Sequence, residues 1–551
     1  MDDMPAQPPH ALSTPTATML DRAAIAVLLI VAAIALLTFR DYGLGWDDFT
    51  HSQHGELLLA LYSSGFRDTR ALTFVNLYMY GGGFDMAAAL LANILPFELF
   101  ETRRLAGAMT GLIGLAVTWR LARRIGGPLS GLLALILLAA CPLYYGHVLI
   151  NPKDAPFAVA MAVLLLGLVR ALEQYPRPSP VTGLILGLGL GLSIGSRIMG
   201  GFGVLYALAA VALIVAAEAR AASMRAAAAR LGYFALALLP AAIFAYVLMA
   251  FVWPWAVIDP LNPFRAIGYF AHFFEKPWKE VFQGALIDVP DMPRSYVPVL
   301  FGLQMPEIFL GLGSAGVAGA MVAVFRRALP SRRRAIFLAI ALAAVLPLLI
   351  AVLARPAMYN GIRHFVFVLP PLAVAGGLAG HFALMRLQRL GRAAIGGFAA
   401  LLFAGIALPA IEMVRLHPYQ YVYFNGIAGG LRGADGRYML DYWGLAFKQA
   451  SQELRRVLAE RNEAPLAGAK WKIAVCGPHP PAEVALGSQF EPTWEPKGAE
   501  FALTLGAFYC ARLDAPVLVE IARDGVILAR AYDLRGRDVT NLFTIPPVRR
   551  D

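Results

Sequence analysis

The residues with the greatest capacity for chemistry in this sequence lie at positions 45–56, which read GWDDFTHSQHGE. Three carboxylates and two imidazoles fall within this dozen: Asp47, Asp48, His51, His54 and Glu56. Proteins use such side chains as general bases and as ligands of metal ions. The stretch is therefore a candidate catalytic or metal-binding site.

A helix over Trp46–Tyr62 would gather part of this set on one face. Asp47, His51 and His54 would then stand at positions i, i+4 and i+7, facing an aqueous cleft. The leucines that follow would form an apolar stripe suited to a membrane surface. Alternatively, Asp47 or Asp48 caps the helix N-terminus and the histidines are simply solvated. The local pattern leaves both interpretations open.

The composition of the whole chain indicates a polytopic α-helical membrane protein. Of its 551 residues, 59% are hydrophobic and only 15% are charged, which exceeds the apolar content of soluble proteins. The formal net charge of +11 does not indicate nucleic-acid binding. The arginines lie in short clusters between apolar runs, as topology signals do, rather than on one basic face.

The hydropathy pattern predicts about eleven transmembrane helices within residues 22–411. Residues 1–21, rich in Pro, Thr and Ala, are predicted to form a disordered cytoplasmic tail. The first span is predicted to remain uncleaved. The spans are placed at about 22–39, 104–121, 129–147, 155–172, 180–196, 199–217, 231–253, 304–325, 335–353, 364–382 and 394–411.

Basic residues follow every second span. Arg120, Arg123 and Arg124 follow the second, and the triple Arg332–Arg334 follows the eighth. Since Lys and Arg collect on the cytoplasmic side, these loops and the N-terminus are predicted to be cytoplasmic. The long first loop, 40–103, then lies outside the membrane with the C-terminal part of the chain.

Residues 412–551 have an ordinary soluble composition and predict a small extracytoplasmic α/β domain. A helix is predicted at Tyr442–Arg461. Strands are predicted at 471–476 and 500–505, with a hairpin at 516–529. Cys476 and Cys510 are able to pair if this domain is extracytoplasmic, whereas Cys141 is predicted to be a buried apolar residue.

Further charged residues lie in the predicted outer loops. Lys153 and Asp154 stand in NPKDAPF, Arg197 in the turn GSRIMGG, and Arg363 and His364 in YNGIRHF. Asp154 could merely cap a helix, and Arg197 could extend to lipid headgroups. The predicted topology nevertheless brings all of them to one membrane face. Carboxylates that activate a nucleophile or hold a divalent ion, with arginines that hold a leaving phosphate, together indicate group transfer from a lipid phosphate.

These residues resemble those of the type C membrane glycosyltransferases. The likeness is to the protein O-mannosyltransferase-like branch, glycosyltransferase family 39, which includes the aminoarabinose transferases. Asp47-Asp48 in a long outer loop resembles the acidic signature of that family, and Asp154 matches its second acidic site. Arg197 and Arg363-His364 are also similar to family features. The likeness covers about residues 22–411, although relatives often have Asp-Glu where this chain has Asp-Asp.

The resemblance implies an inner-membrane enzyme that transfers a sugar, with inversion, from a polyprenyl-phosphate donor to a hydroxyl of a protein, lipid or glycan on the outer face. Asp47 or Asp48 would be the general base, and Asp154 would orient the acceptor or share a divalent cation, which is the only cofactor implied. Phosphate-binding roles fall to Lys153, Arg197 and Arg363. His51, His54, Glu56 and His364 are candidate acceptor or metal contacts.

A membrane transporter or lipid flippase is the alternative. It predicts ionisable residues near the middle of spans and broken helices. In this sequence almost all charges stand at span ends, and only the glycine-rich fifth span, GLILGLGLGLSIG, favours transport. Close helix packing explains small residues equally well.

Overall fold

The computed structural model describes residues 14–271 and 278–545, and these residues form twenty α-helices and seven β-strands. The helices are α1 Thr14–Thr38, α2 Trp46–Ser63, α3 Gly83–Ala92, α4 Leu99–Gly126, α5 Pro128–Ala139, α6 Pro142–Ile150, α7 Asp154–Glu173, α8 Pro180–Ser196, α9 Phe202–Ala221, α10 Met224–Val252, α11 Trp255–Ile258, α12 Asn262–Ala271, α13 Tyr296–Gln304, α14 Glu307–Phe325, α15 Ser331–Ala354, α16 Leu369–Leu387, α17 Arg392–Arg415, α18 Gly430–Ala434, α19 Ala446–Glu460 and α20 His479–Leu486. The strands are β1 Lys279–Phe282, β2 Ala285–Asp288, β3 Trp471–Cys476, β4 Phe490–Thr493, β5 Phe501–Leu505, β6 Val517–Arg523 and β7 Val526–Asp533.

Each predicted span falls on an apolar helix. Within the described residues, nine helices are long and apolar enough to cross a membrane. The predicted third span is a pair, α5 and α6, bent by 65°, because Pro142 lacks the N–H that would continue the helix. The predicted fifth span, α8, is shorter, at 17 residues. The predicted fold class is confirmed, and the eleven predicted spans correspond to nine long helices, one bent pair and one shorter helix.

The N-terminal boundary differs from the prediction. The predicted tail at residues 1–21 overlaps α1, which begins at Thr14. Residues 1–13 of that tail lie outside the described residues. An apolar helix can extend beyond its most hydrophobic window, since helix propensity continues through residues such as Met19 and Leu20.

The glycine-rich helix α8 is packed between α7 and α10. A Cβ atom on Gly189 would lie 2.3 Å from the backbone nitrogen of Leu164 in α7, and one on Gly187 would lie 2.7 Å from the carbonyl oxygen of Ala241 in α10. Small residues here let three helix backbones approach closely. The feature that favoured a transporter is thus accounted for by helix packing.

The C-terminal part of the chain forms a mixed five-stranded sheet of order β4-β3-β5-β7-β6. β3 runs parallel to β4 and β5, and β7 runs antiparallel to β5 and β6. The amphipathic helix α19 packs its buried face on this sheet. β1 and β2 form a separate antiparallel hairpin, which contacts the chain before the sheet through a bridge between Phe282 and Tyr438.

Cys476 and Cys510 form a disulfide, and Cys141 is a buried free thiol. We expect denatured, unreduced protein to take up one maleimide-polyethylene glycol, at Cys141, and reduced protein to take up three. Replacing both paired cysteines by serine should lower the free energy of unfolding of the C-terminal domain by about 3–4 kcal/mol, because the bond closes a loop across 34 residues. Three labels without reductant would contradict the pairing.

Candidate active site

A cavity of about 200 Å³ lies where α2 meets the start of α7 and the segment that leads into α16. It contains one acid, two cations and several aromatic rings. Its lining residues are Trp46, Asp47, Thr50, His51, Val75, Asn76, Leu77, Tyr80, Lys153, Trp278, Tyr359, Asn360, Arg363 and Trp443. These residues come from six separate parts of the chain, so only the folded protein assembles the cavity.

Asp47 is the carboxylate that faces this cavity. It stands in the first turn of α2, and about a third of its side chain, 32%, is exposed. Its Oδ2 atom lies 3.3 Å from Nη1 of Arg363 and 3.8 Å from Nζ of Lys153. Burial alone would raise the pKa of the Asp47 carboxyl, but the positive charges of Lys153 and Arg363 hold it below its ordinary value. Asp47 is therefore ionised at neutral pH.

Asp154 is a second, fully buried carboxylate directly behind the cavity. Its Oδ2 lies 3.3 Å from the same Nη1 atom of Arg363, and its Oδ1 lies 2.5 Å from Nη2 of Arg197. The side-chain oxygen of Asn151 accepts the backbone N–H of Asp154 at 2.8 Å, and its side-chain nitrogen donates to Oδ2 of Asp154 at 2.9 Å. The carboxylate of Asp154 is thus fixed in place, where it holds the two arginines.

Arg363 joins the two acids and is only 1% exposed. Its guanidinium lies over the rings of Tyr359 and Trp443, at 5.0 and 5.2 Å from their centroids. A guanidinium stacked on aromatic faces keeps its plane fixed while its N–H groups remain free to donate. The geometry thus presents one edge of Arg363 to the carboxylates beside the cavity.

Lys153 lies over the ring of Tyr80, with Nζ 4.7 Å from the ring centroid. Burial lowers the pKa of this lysine to about 8, and the nearby charge of Asp47 only partly opposes that effect. Tyr80 reaches the cavity because Gly81 follows it: a Cβ atom on Gly81 would lie 1.3 Å from the carbonyl oxygen of Gly195. Only glycine permits the first loop to come this close to the end of α8.

Asp48 does not face the cavity, which corrects its prediction as a candidate base. It is 1% exposed, and its carboxylate lies 2.7 Å from Nε of Arg103 and 2.5 Å from Nη1 of Arg104. Successive residues on a helix point about 100° apart, so Asp48 turns toward α4 when Asp47 turns toward the cavity. The two acids of the pair thus occupy different environments.

The predicted Asp47, His51 and His54 face is only partly realised. His51 lines the cavity, but His54 is buried elsewhere, stacked on Phe74 at 6.2 Å between ring centroids. Glu56 is exposed to solvent. Seven residues span about 700° of helix rotation, nearly two full turns, so His54 stays on the same face as Asp47 but lies about 10 Å further along α2, beyond the cavity. His54 and Glu56 are therefore not contacts of this cavity.

Two other predicted residues stand beside the cavity rather than in its lining. Arg197 acts on the site through Asp154, and His364 packs against Tyr359 with ring centroids 5.2 Å apart. Within residues 14–271 and 278–545, no group of three or more His, Cys, Asp or Glu side chains is placed to hold a metal ion. The carboxylates of the site are instead paired with arginine and lysine.

The sequence prediction missed most of the aromatic lining and a buried arginine pair. Tyr80, Trp278 and Trp443 come from loops whose separation in sequence gave no reason to group them. Arg103 and Arg104, by contrast, stand at the predicted outer end of a span, against the positive-inside bias. Arg197 is likewise a basic residue on the predicted outer side, and the same departure from the positive-inside bias identifies Arg103 and Arg104.

Residues 84–249 match the family model described as dolichyl-phosphate-mannose-protein mannosyltransferase. This match confirms the resemblance to that glycosyltransferase family for under a third of the chain. The matched segment includes Asp154 and Arg197 and excludes Asp47 and Arg363. A comparison with curated proteins found no match.

Solved structures of similar fold include two of ArnT from Cupriavidus metallidurans, both 16% identical and covering 94% of this chain and 98% of that chain. The TM-score is 0.48 for the apo state and 0.46 for the state bound to undecaprenyl phosphate. The archaeal oligosaccharyltransferase AglB from Archaeoglobus fulgidus, in complex with an inhibitory peptide and a dolichol-phosphate, is 13% identical. That match covers 88% of this chain and 69% of AglB, with a TM-score of 0.47.

Proposed function

We propose that this protein is an inverting glycosyltransferase that moves a sugar from a polyprenyl-phosphate donor to an acceptor hydroxyl at the membrane surface. The observation that carries the proposal is the cavity itself, in which an ionised carboxylate, Asp47, stands beside two cations, Lys153 and Arg363. A carboxylate can take the proton of an attacking hydroxyl, and adjacent cations can receive a leaving phosphate. The matched family supports the choice of a lipid-phosphate donor.

The charge balance of the site suits a phosphate. Two carboxylates, Asp47 and Asp154, face three cations, Lys153, Arg197 and Arg363, which leaves one positive charge in excess. A phosphate accepts charge-assisted hydrogen bonds from such donors. Negative charge increases on the phosphate oxygen as the sugar leaves, so fixed cations stabilise the transition state more than the ground state.

Each of these residues would have a separate role in the reaction. Asp47 would accept the proton of the acceptor hydroxyl as its oxygen attacks the anomeric carbon from the face opposite the phosphate, which gives inversion. Arg363 and Lys153 would hold the phosphate. Asp154 is a positioning residue, since it holds Arg363 and Arg197 from behind. The aromatic rings of Trp46 and Trp278 offer apolar faces to a sugar.

A divalent cation does not fit this donor set. The Oδ2 atoms of Asp47 and Asp154 share the Nη1 atom of Arg363, which already supplies the positive charge between them. A divalent ion at that place would meet a buried guanidinium at close range. The side chains of this protein therefore hold the leaving phosphate, and the proposed reaction involves no metal ion.

The multi-pass membrane architecture also supports a proposal for the side of the membrane on which the site lies. We propose that the cavity opens on the extracytoplasmic side of a bacterial inner membrane. The basic loops between the spans occupy the other end of the helices, and a disulfide such as that between Cys476 and Cys510 persists in an oxidising compartment. The membrane domain, 22–411, would then carry the catalysis, and the domain at 412–551 would cover its outer face.

Deleting the gene and comparing the cell's lipids and glycans by mass spectrometry tests the function directly. One sugar should disappear from one class of molecule, and its polyprenyl-phosphate donor should accumulate. Wild-type protein should restore the modification, and the Asp47→Asn variant should not. A profile that the deletion leaves unchanged, or equal restoration by both proteins, would overturn the proposal.

The affinity for the lipid phosphate should fall as pH rises through about 8. Lys153 is charged below that value and neutral above it, because burial lowers its pKa to about 8. Loss of one charged donor should weaken binding of undecaprenyl phosphate about tenfold or more. The Lys153→Gln variant should bind weakly at all pH values, without this step. An equal step in both proteins, measured by titration of the purified protein in detergent, would refute the assignment.

A transporter or lipid flippase remains the second candidate because α5 and α6 form a broken helix. Transporters place such breaks at their binding sites. Empty liposomes that contain the protein distinguish the two functions. Movement of a labelled polyprenyl phosphate sugar across the bilayer, with no sugar transfer when acceptor membranes are added, would favour transport.

A further inference from the structure

His51 has one ring nitrogen that nothing in the described structure uses. The residue lines the cavity one helical turn after Asp47. It is 4% exposed, and its Nε2 atom is buried and has no hydrogen-bond partner among the described residues. An imidazole nitrogen that is left unpaired inside a protein costs free energy unless a ligand supplies the missing partner. The cavity is the space from which such a ligand would come.

The other ring nitrogen of His51 is held by Asp85 of α3. The distance from Nδ1 to Oδ2 of Asp85 is 2.6 Å. An ionised carboxylate can only accept hydrogen bonds, so Nδ1 must carry the proton that joins them. In the neutral imidazole, Nε2 is then the nitrogen with the free lone pair. Asp85 therefore leaves Nε2 as the basic nitrogen of His51.

Asp85 is kept ionised by the buried arginine pair of α4. Arg103 donates from Nη2 to Oδ1 of Asp85 at 2.7 Å and from Nε to Asp48 at 2.7 Å. Although burial alone would raise the pKa of Asp85, the hydrogen bond from His51 and the charge of Arg103 hold it below its ordinary value. This network gives Asp48 a function: it helps to hold the arginine that holds Asp85.

Gly55 makes this arrangement possible. It lies one turn after His51 on α2, where α3 crosses closely. A Cβ atom at Gly55 would lie 2.3 Å from the backbone oxygen of Asp85. Any side chain there would push α3 away from α2 and separate Asp85 from His51. Gly55 of the motif GWDDFTHSQHGE is thus part of the same arrangement as the acids and His51 of that motif.

We propose that His51, oriented by Asp85, is a second catalytic base that receives the acceptor's proton from Asp47. This inference rests on the proposed function. As the acceptor oxygen bonds to the anomeric carbon, its proton passes to the Asp47 carboxylate and then, through one water molecule in the cavity, to Nε2 of His51. The bond between the anomeric carbon and the phosphate oxygen breaks, and its electron pair leaves with the phosphate. His51 later returns the proton to water.

The need for a second base follows from the surroundings of Asp47. Lys153 and Arg363 lower the basicity of its carboxylate, so a proton taken by Asp47 is held weakly. A neutral imidazole binds a proton more firmly than such a carboxylate at neutral pH. Two bases in series therefore remove the proton from the reacting centre and leave Asp47 ionised for the next turnover.

The pH profile of transfer tests this role. The charged and titratable groups around His51 are Asp47 and His54 on its own helix, Asp85 on α3, Arg103 on α4, and Lys153 and Arg363 across the cavity. Because a protonated imidazole cannot accept a further proton, kcat of the wild type should fall on the acid side of its pH profile. The His51→Asn variant should lose about 10²-fold in kcat and lack this acid limb.

Asp85→Asn tests the tautomer without removing the imidazole. The side-chain amide introduced by this substitution can donate to Nδ1, which places the proton on Nε2 and removes the free lone pair from the cavity. We expect kcat to fall at least about tenfold while KM changes little. Thermal unfolding of Asp85→Asn is measured beside its kcat, because Arg103 loses one of its two carboxylates. His54→Asn is the matched control, since His54 is buried on the same helix but does not line the cavity, and it should leave kcat and the acid limb unchanged.

Chemical rescue provides a readout that a structural role would not produce. His51→Ala opens space beside the cavity, and added imidazole should restore transfer at least about tenfold, whereas His54→Ala should show no such response. The assay uses membranes that contain the full-length protein and undecaprenyl phosphate carrying, in tritiated form, the sugar that the gene deletion identifies. Wild-type kcat with an unchanged acid limb in His51→Asn or Asp85→Asn, or a His51→Ala loss that imidazole does not restore, would overturn the proposal. If Asp47→Asn also transfers sugar normally, the proposed function itself has failed.

Discussion

Replacing Asp47 by Asn is expected to reduce sugar transfer about 10³-fold or more, with the folded protein unchanged. The substitution keeps the size of the side chain and removes the carboxylate that lines the cavity. General bases typically contribute about 10²–10⁴-fold to a rate. Because a third of the side chain is exposed, removing its charge leaves little buried charge uncompensated. Transfer is measured in membranes with the tritiated donor, and folding is measured by thermal unfolding in detergent.

Asp48→Asn is the matched control for stability. Asp48 is buried and pairs with Arg103 and Arg104, so its loss leaves Arg104 without this carboxylate and Arg103 with Asp85 alone. Breaking a buried pair in this way costs about 3–5 kcal/mol. We expect a lower unfolding temperature in Asp48→Asn and a nearly unchanged one in Asp47→Asn. Normal transfer by the Asp47 variant, or equal stability losses in both, would contradict the assignment of the two acids.

The fold was largely predictable because hydropathy is a local property of the sequence. Runs of about twenty apolar residues located each membrane helix, and alternating apolar residues located β3, β5, β6 and β7 to within a few residues. The bend between α5 and α6 was not predicted, since its cause is one proline within an otherwise apolar run. One proline barely changes the mean hydropathy of an apolar run, whereas its missing N–H interrupts the helix backbone.

The site was predictable only in part. The positive-inside bias placed Asp47, Lys153, Asp154, Arg197 and Arg363 on one face, and the structure joins these five side chains in one network of ion pairs. The sequence could not distinguish Asp47 from Asp48, because that choice depends on how α2 is rotated against α3 and α4. That rotation is set by packing, including the close approach at Gly55.

Arg363→Gln should give the other large effect, because it removes a charge on which two acids depend. Arg363 is 1% exposed and joins Asp47 to Asp154. Its loss leaves Asp154 buried with Arg197 as its remaining guanidinium, which should cost about 3–5 kcal/mol of stability. It also removes a phosphate ligand, so transfer should become undetectable. Arg363→Lys should retain much of the stability but lose at least about tenfold in transfer, because a lysine can neither stack on Trp443 nor donate from a planar fork.

The double variant Arg363→Gln with Asp154→Asn separates the two roles of the arginine. Removing both charges removes the whole Arg363–Asp154 pair, so the stability loss should be smaller than the sum of the two single losses. Transfer should not return, because the leaving phosphate still lacks its main cation. Recovery of transfer together with stability would mean that Arg363 serves only to neutralise Asp154. Thermal unfolding and transfer of the tritiated sugar, measured on the same preparations, decide between these outcomes.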